Sequence, residues 1–547
     1  MTAPSTPAEH DAGTINARRP QSPVAGRVEG MSFRPDARFW VFYGCLMTVQ
    51  FLSAMYQTAV TTALPTVIGD LGGVAHMSWA ITAYTLGQTL AMPVTGKLGD
   101  LVGRKPLYLT AIALFVGGSA LCGISTGMLE FTIFRFLQGT GGGLMISSQA
   151  ITGDLIPPRV RGKYMAPMGA MFGIAAIVGP LLGGWLTDTL GWRSIFWFFL
   201  PFGVIAWVAV AIALHMPPRH AAVRVDRAGL ALSSAGAAGI VLIATWSGST
   251  LAWSDPRLLA LVVVTVLASS ALVPVERRAA ESLMPLPILT DRTFIVSTIV
   301  AVLLCACMFG INGYLPTYLQ MVHGVSAATS GLVLVPGAVA MFLGSLISGW
   351  RVTRTGRYRI YPVVGSLLTA TGLVVLGLIP ASASVSWFGA GVFLLELGVG
   401  MFLQLSALII QNALPARVLG TATSTNNFFR EIGVSVGNSL VGVLFTSRLT
   451  TSLIALGMSA DAASSISPQT VARLDPTTAA AVVHAYQHAL GPVLVGMAPL
   501  GVVAAVAALF FKAVPLSTRT GLERLAAESG SDVGLADAPR RADSLPS

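Results

Sequence analysis

Eleven residues, Gly96-Lys97-Leu98-Gly99-Asp100-Leu101-Val102-Gly103-Arg104-Lys105-Pro106, interrupt the apolar pattern of this chain. The stretch holds four charged residues and three glycines, and long runs with almost no charge lie on both sides of it. It is too polar for the interior of a lipid bilayer and too short to form a domain. We therefore predict a tight turn at a membrane surface, which joins two spanning helices that return close to each other.

The composition of the whole chain agrees with this interpretation. Only 10% of the 547 residues are charged and 54% are apolar, so a soluble protein could not cover its surface with charge. The net charge of +10 comes from short basic clusters between apolar runs, which is typical of cytoplasmic turns and not of nucleic-acid binding. All four cysteines lie inside apolar runs, which indicates neither a disulfide framework nor a metal site. A polytopic, all-α membrane protein is predicted.

The apolar runs define the predicted spans, because a transmembrane helix needs about 20 apolar residues. Most Lys and Arg residues lie in the tails and in the loops on the side of the two termini. By the positive-inside rule, both termini are predicted to be cytoplasmic. The fourteen predicted spans are 39–63, 78–96, 106–126, 130–152, 164–187, 194–215, 228–247, 257–275, 294–314, 328–350, 361–380, 386–411, 420–447 and 490–512.

An internal repeat divides these spans into two bundles. The segment 349–357 keeps the G-x6-G-R spacing of the quoted stretch, with Thr353 in the position of the acidic Asp100. The two copies are eight helices apart, which predicts two six-helix bundles with two extra helices between them, an arrangement suited to alternating access. The predicted parts are a disordered cytoplasmic tail (1–38), an N-terminal bundle (39–215), two inserted helices with a linker (216–293), a C-terminal bundle (294–512) and a second disordered tail (513–547).

A long outer loop, 449–489, is predicted within the C-terminal bundle. Its Ser467-Pro468 and Asp475-Pro476 pairs are typical of N-caps followed by proline, so one or two short helices are expected there. His484 and His488 are spaced to share one face of a helix. The polar end of a helix entering the last span is the preferred interpretation of this pair, and a metal site is the alternative.

The quoted stretch resembles the signature loop between helices 2 and 3 of the major facilitator superfamily, G-x-x-x-D-x-x-G-R-[KR], at every marked position. Glycine in such a loop permits positive φ and a close approach of helices. The resemblance implies that Asp100 faces the start of span 13 near Gly420 and Thr421, where the helix dipole favours negative charge. It also implies a cytoplasmic gate loop that ties the bundles together, formed by Gly96, Asp100, Gly103, Arg104 and Lys105.

Other segments resemble the fourteen-helix drug–proton antiporter branch of that superfamily, which contains multidrug efflux transporters. They are 57–65, 192–196, 314–320 and 424–430. The segment 135–141 is similar to the R-x-x-Q-G-x-G motif, and an arginine inside a span should face protein or a watery cavity. Arg135 could alternatively extend toward the membrane surface. Gly173 and the segment 179–184 are similar to the antiporter motif, which implies a kinked, closely packed helix around Gly179, Pro180, Gly183 and Gly184.

One departure from the branch changes the expected path of the proton. The branch usually has an aspartate immediately before Gln57, where this chain has Tyr56, and a phenol ionises only near pH 10. Glu396 lies near the middle of span 12, where a carboxylate can take up and release a proton, although a structural pairing is the alternative. Arg430 and Glu431, near the start of span 13, are expected to form a gate or a tie between the bundles and not a proton site. Glu396 and Arg135 are the predicted proton-coupling residues, and the predicted substrate cavity is lined by Tyr56, Gln57, Gln138 and Gln404.

Enzyme motifs are absent or out of context in this sequence. The segment 433–437 fits the hydrolase pattern G-x-S-x-G but lies in an apolar helix, and there is no G-x4-G-K-[ST] phosphate loop. We predict a secondary transporter without cofactor or metal, acting as a monomer in the bacterial cytoplasmic membrane. Its expected partners are protons, the lipid bilayer and amphipathic small molecules, including drugs, which it exports. The alternatives are an exporter of an endogenous lipid, siderophore or metabolite, and a membrane sensor or scaffold that does not transport.

Overall fold

The computed structural model describes residues 35, 37–71, 77–214, 216, 226–247, 251, 254–279, 285–380, 382–455, 476–512 and 514–528. The regular structure of these residues is helical. The helices are α1 (Ala37–Leu71), α2 (Met77–Leu101), α3 (Arg104–Ile124), α4 (Met128–Leu144), α5 (Ser147–Leu155), α6 (Pro158–Leu190), α7 (Arg193–Ala213), α8 (Arg227–Trp246), α9 (Pro256–Arg278), α10 (Leu286–Leu289), α11 (Arg292–Asn312), α12 (Leu315–His323), α13 (Ala327–Leu332), α14 (Val335–Thr355), α15 (Ile360–Leu378), α16 (Val385–Ala413), α17 (Leu419–Ala455), α18 (Pro476–Leu509) and α19 (Gly521–Glu528).

Aspartate caps explain where three of these helices begin. The Asp226 side chain accepts hydrogen bonds from the amides of Ala228 and Gly229 at the start of α8. Asp255 and Asp291 do the same for the first turns of α9 and α11. A carboxylate at this position satisfies amide groups that have no partner within the helix, and it is also favoured by the helix dipole.

Twelve helical segments in the described part of the chain are long and apolar enough to cross a membrane. Two of the fourteen predicted spans, 78–96 and 130–152, are helical but do not meet this criterion. The corresponding helix α2 has a low mean hydropathy, and α4 has 17 residues and ends at a break before α5. The number fourteen is therefore not confirmed, whereas an all-helical, multi-pass architecture is.

The helices pack around two large apolar cores. One core is built from α1–α7, which we call the N-half, and includes Leu46, Ile112 and Phe196. The other is built mainly from α11–α18, which we call the C-half, and includes Leu304, Phe402 and Leu494. Helices α8 and α9 pack on each other, and α8 also lies against both α2 and α17. The inserted pair of helices therefore contacts both halves through α8, and α9 packs on α8.

We refer to the two ends of the molecule by the aspartate that lies at each, Asp70 or Asp100. At the Asp70 end, Asp70 Oδ2 accepts hydrogen bonds from Trp192 Nε1 (2.9 Å) and Arg193 Nη1 (2.6 Å). These two donors lower the pKa of Asp70. The same arginine donates to the carbonyl of Ser125 at 3.1 Å, so α1, α3 and the α6–α7 junction are joined within the N-half. The Asp100 end carries the α2–α3 turn and the start of α17.

Two of the predicted segments differ in the structure. The tail predicted to be disordered at 513–547 is ordered over 514–528, where the chain packs against both halves and forms α19. In the outer loop 449–489, α17 extends to Ala455 and α18 begins at Pro476, so Pro476 lies in the first turn of a long helix and not of a short one. The Ser467-Pro468 pair and most of the tail 1–38 lie outside the described residues.

Candidate functional site

At the Asp100 end, a carboxylate of the N-half binds the first turn of a C-half helix. Asp100 Oδ2 accepts hydrogen bonds from the amide (2.9 Å) and from Oγ1 (2.8 Å) of Thr421. These bonds place a negative charge on the positive end of the α17 dipole. The contact implied by the sequence resemblance is therefore present in the structure.

Arg104 holds this aspartate from the other side. Its Nη2 lies 2.8 Å from Asp100 Oδ1, and its Nε lies 2.9 Å from Oδ2 of Asp154. The Arg104 and Asp154 side chains are each about 1% exposed, and that of Asp100 is 8% exposed. One buried arginine therefore joins α2, α3 and α5, and fixes the carboxylate that binds α17.

Glycines bring the two helices close enough for this contact. A Cβ atom at Gly96 would lie 2.6 Å from the Cα of Thr421 and 2.8 Å from the carbonyl oxygen of Gly420. Gly103 has a φ of 104°, a conformation that other residues rarely adopt, and it ends the turn before α3. Lys105, the last predicted gate residue, donates to the carbonyl of Ala211 at 2.7 Å, near the end of α7. Lys105 therefore binds within the N-half and does not reach the C-half through this bond.

A second polar contact between the halves is centred on Gln411, which the sequence analysis missed. Gln411 Oε1 accepts from Arg161 Nη1 at 2.6 Å, and Gln411 Nε2 donates to the carbonyl of Gln149 at 3.1 Å. Asn427 Nδ2 of α17 donates to Gln149 Oε1 at 2.9 Å. Gln411, Arg161 and Asn427 are all nearly inaccessible to solvent. Together with Asp100, these bonds close the Asp100 end between the halves.

The antiporter-like segment lies where α6 crosses α1 inside the N-half. A Cβ atom at Gly183 would lie 2.8 Å from both Cα and the carbonyl oxygen of Ala59, and one at Gly179 would overlap Thr58. Thr58 Oγ1 also donates to the carbonyl of Ala175 at 3.0 Å. Pro180 lies inside α6, where it cannot donate a backbone hydrogen bond. A Cβ atom at Gly184 would have only Thr62 within 4 Å, so the close contact depends on Gly179 and Gly183.

Arg135 lies buried in the N-half beside a small cleft. Its Nη1 donates to Gln138 Oε1 at 2.6 Å, and its guanidinium lies 4.4 Å from the centre of the Tyr84 ring, a cation–π contact. Gln57 is exposed and lines the same cleft, together with Thr61. The structure thus brings Gln57 and Arg135 together, while Gln138 is fully buried behind the arginine.

Tyr56 lies in the apolar core of the N-half. It is 2% exposed, and its hydroxyl donates to the carbonyl of Phe196 (3.0 Å) and accepts from Ser119 Oγ (2.5 Å). Its ring makes an edge-to-face contact with Phe115. Both hydrogen-bonding capacities of the phenol are therefore used inside the N-half, and Tyr56 is not part of the lining of the cleft beside Gln57 and Arg135.

Glu396 is buried midway along α16 in the C-half. It is 5% exposed, and its Oε1 accepts from Asn312 Nδ2 at 3.0 Å. Asn312 is the last residue of α11, next to the break before α12. The absence of a side chain at Gly337 leaves room for Glu396, because a Cβ atom there would lie 3.2 Å from Glu396 Cγ. Asn312 was not anticipated from the sequence.

Two other predicted residues lie deeper than the helix ends. Gln404 of α16 faces α6 of the N-half, where a Cβ atom at Gly169 would lie 3.4 Å from both Cγ and Nε2 of Gln404. Glu431 lies twelve residues after the start of α17, or roughly 18 Å along the helix axis. It is close enough to the Tyr84 hydroxyl to interact electrostatically. Glu431 is therefore farther from the helix start than a gate position requires.

Metal-binding side chains do not cluster in the described part of the chain, where no group of three or more His, Cys, Asp and Glu residues is close enough to hold an ion. His484 and His488 are exposed neighbours on α18, with their Nε2 atoms 3.1 Å apart. Among the residues that the structure describes, these two imidazoles have no third ligand to complete the closed set of a structural metal site.

Most of the chain matches one known protein family. The sequence profile of the Major Facilitator Superfamily matches residues 46–438 of the chain. The chain belongs to the major facilitator superfamily. It is thus a multi-pass membrane transporter and not an enzyme.

Relatives of this major facilitator protein include bacterial drug transporters. The chain is 34% identical to an uncharacterized MFS-type transporter of Mycobacterium tuberculosis, over 91% of this chain and 72% of that protein. It is 33% identical to the multidrug transporter protein MdtP of Bacillus subtilis over 74% of each chain. It is 30% identical to multidrug resistance protein 3 of the same organism, over 76% of this chain and 81% of that protein.

Solved structures support the fold alone, because their sequences are distant. The human organic anion transporter MFSD10 superposes with a TM-score of 0.59 at 15% identity, covering 86% of this chain and all of that one. The proton:xylose symporter XylE gives a TM-score of 0.58 at 14% identity, covering 90% of this chain and all of that one.

Proposed function

We propose that this major facilitator protein exports amphipathic small molecules, including drugs, in exchange for protons across the bacterial cytoplasmic membrane. Two relatives at 33% and 30% identity are named as a multidrug transporter and a multidrug resistance protein, which supports drugs as a substrate class. Fungal relatives at 29% identity that are named as efflux pumps support export as the direction. The N-half and the C-half alternate between access from each side, with fourteen spans in all, both termini cytoplasmic and the monomer as the working unit. The bundles 39–215 and 294–512 are the two moving bodies.

The observation that carries proton coupling is the burial of Glu396. A carboxylate without a cationic partner is costly inside a membrane protein, and protonation removes that cost. Asn312 donates one hydrogen bond, which holds the carboxyl group in place without neutralising it. Proton uptake from outside and release inside would therefore change the charge in the core of the C-half once in each transport cycle.

The cleft beside Arg135 is the proposed polar part of the substrate path. Gln57 and Thr61 offer hydrogen-bonding groups there, and Tyr84 offers an aromatic face. Gln404 lies between the halves and is proposed to contact substrate when they separate. Tyr56 and Gln138 are proposed to support this cleft from behind, because both are buried and bonded inside the N-half.

Replacement of Glu396 by glutamine tests the coupling. Glutamine keeps the size and can keep the hydrogen bond to Asn312 but cannot carry a proton. We expect dye efflux driven by a pH gradient in proteoliposomes to fall at least about tenfold, which corresponds to ~1.4 kcal/mol. Exchange of substrate between the two sides without a gradient should persist, because it needs no net proton movement.

The matched control is Glu130→Gln, which removes an exposed carboxylate at the start of α4. It should leave gradient-driven efflux near the wild-type rate. Wild-type efflux by Glu396→Gln in sealed vesicles would overturn the assignment of the coupling carboxylate, and loss of gradient-free exchange in the same variant would show a defect other than coupling.

A further inference from the structure

The chain after the last spanning helix crosses the Asp100 end and contacts both halves; we call residues 514–528 the C-terminal strap. The Tyr358 hydroxyl donates to the carbonyl of Lys512 (2.7 Å) and accepts from the amide of Val514 (3.1 Å), which fixes where the strap begins. Thr520 and Glu523 form a reciprocal capping box, with the Thr520 amide donating to Glu523 Oε2 and the Glu523 amide donating to Thr520 Oγ1. This box starts α19.

On the C-half, the strap binds both ends of the α16–α17 turn. Arg524 donates to the carbonyls of Gln411 (2.9 Å) and Leu414 (2.7 Å) at the end of α16, where a cation is favoured by the helix dipole. Glu528 Oε1 accepts from the amide of Ala416 at 2.9 Å, in the short 3-10 turn that leads into α17. Gln411 is the residue whose side chain already joins the two halves.

On the N-half, the strap binds the junction between α5 and α6. The carbonyl of Ser517 accepts from the amide of Arg159 at 3.1 Å, in the first turn of α6. Gly521 packs on the end of α5, where a Cβ atom would lie 2.8 Å from the carbonyl oxygen of Gly153 and 2.9 Å from the Cα of Asp154. Asp154 is the partner of Arg104, so the strap adjoins the Asp100 contact.

Asn412 of the C-half orients the strap toward α6. Asn412 Nδ2 donates to the carbonyl of Pro515 (3.2 Å), and Asn412 Oδ1 accepts from the amide of Ser517 (2.9 Å). The carbonyl of Ser517 is thereby turned toward Arg159. Asn412 is 7% exposed, which protects these bonds from water. The path of contacts runs from Asn412 in the C-half through Ser517 to α6 in the N-half.

The two halves are therefore joined in different ways at equivalent helix starts. Helix α17, which follows the α16 turn, receives its cap from the carboxylate of Asp100, in the first copy of the repeat. Helix α6, which follows the α5 turn, receives its cap from the strap carbonyl of Ser517. The second copy of the repeat has Thr353 where the first has its aspartate.

We propose that the C-terminal strap replaces the missing acidic residue of the second repeat copy, and that Asn412 and Gly521 are positioning residues which stabilise the transporter with its Asp100 end closed. The inference rests on the alternating access proposed above. When the Asp100 end opens, the bond from Arg159 to Ser517 and the contact of Gly521 with α5 must break. The strap thus sets the ratio of closed to open molecules without touching substrate or Glu396.

The test measures that ratio by electron–electron spin distances in nanodiscs. Spin labels are placed on exposed residues at the Asp100 end, Val102 in the N-half and Ile360 in the C-half, after replacement of the four native cysteines. Gly521→Leu displaces the strap from α5, and Asn412→Ala removes its clamp. For both variants we expect the ratio of long to short distances to rise at least about fivefold.

Ala527→Leu is the matched control, because Ala527 is an exposed residue of the same helix. It should leave the wild-type distance distribution unchanged. Unchanged distributions in Gly521→Leu and Asn412→Ala would overturn the strap inference, whatever the effect on thermal stability, since a purely structural role changes the melting temperature and not the distance. The label distances require no proton gradient, so their outcome is independent of whether Glu396→Gln retains coupled efflux.

Discussion

The two copies of the G-x6-G-R repeat have the same backbone conformation at their second glycine but different surroundings. Gly103 and Gly356 both have positive φ, at 104° and 71°, and each is followed by an arginine. Arg104 is buried between two aspartates, whereas Arg357 is exposed. The turn is therefore a property of the glycine spacing, whereas the buried carboxylate that binds a helix start of the opposite half is present only in the first copy.

This difference shows how a repeat can diverge while the molecule keeps two contacts at one end. In the first copy, the contact with the opposite half is made by a side chain close in sequence to the turn. In the second copy, Thr353 Oγ1 donates to the carbonyl of Gly349 in its own helix, and Arg159 of α6 reaches the carbonyl of Arg354. The amide of Arg159 in α6 donates instead to the carbonyl of Ser517, which lies more than 150 residues after the second copy of the repeat. The two closures can therefore be perturbed separately.

The largest difference between the two copies is expected when their equivalent arginines, Arg104 and Arg357, are each replaced by glutamine. Arg104→Gln removes the buried guanidinium that pairs with Asp100 and Asp154, and breaking a buried ion pair in this way costs about 3–5 kcal/mol. We expect a clear fall in the melting temperature in detergent and in efflux. Arg357→Gln removes an exposed charge and should change neither by a measurable amount. Equal effects of the two changes would contradict the asymmetry.

An intermediate effect is expected from a substitution at Gly96, where α2 contacts α17. Gly96→Ala places a Cβ atom 2.6 Å from the Cα of Thr421, and such overpacking costs about 1–3 kcal/mol in the closed molecule. The label distance between positions 102 and 360 should lengthen. Gly117→Ala on α3 is the control, because a Cβ atom there meets nothing within 4 Å. If the distances between the labels in Gly96→Ala stay at the short wild-type values, the helices adjust without separating and this prediction is wrong.

Some of this arrangement could be predicted from the sequence, because it depends on local or repeated patterns. Apolar runs located the twelve helical segments that are long and apolar enough to cross a membrane, and the signature loop placed Asp100 at the start of α17. Gln411 could not be found, since one glutamine at the end of an apolar helix has no periodic signal and its contacts come from packing of the halves. The order of 514–528 was also missed, although Thr520 and Glu523 have the spacing of a capping box.

The predicted role of Tyr56 shows a different limit. The sequence places it beside Gln57 and suggests that both line a cavity, but adjacent residues on a helix point about 100° apart. Gln57 is exposed to the cleft, while Tyr56 is buried among Phe115, Phe196 and Phe199. Which of the two faces the cleft depends on how α1 is rotated in the N-half, and the resemblance alone does not give that rotation.

The smallest expected effect is that of restoring an acid to the second copy. In Thr353→Asp the new carboxylate lies four residues before the exposed Arg357, which is beyond the end of α14, and an ion pair near a protein surface contributes only about 0.2–1 kcal/mol. The first amide of α6 is already bonded to Ser517, so little further closure is available. We expect wild-type efflux and an unchanged 102–360 distance. If Thr353→Asp instead restored the closed distance to Gly521→Leu, an acid at position 353 could substitute for the strap, and the two closures would be interchangeable.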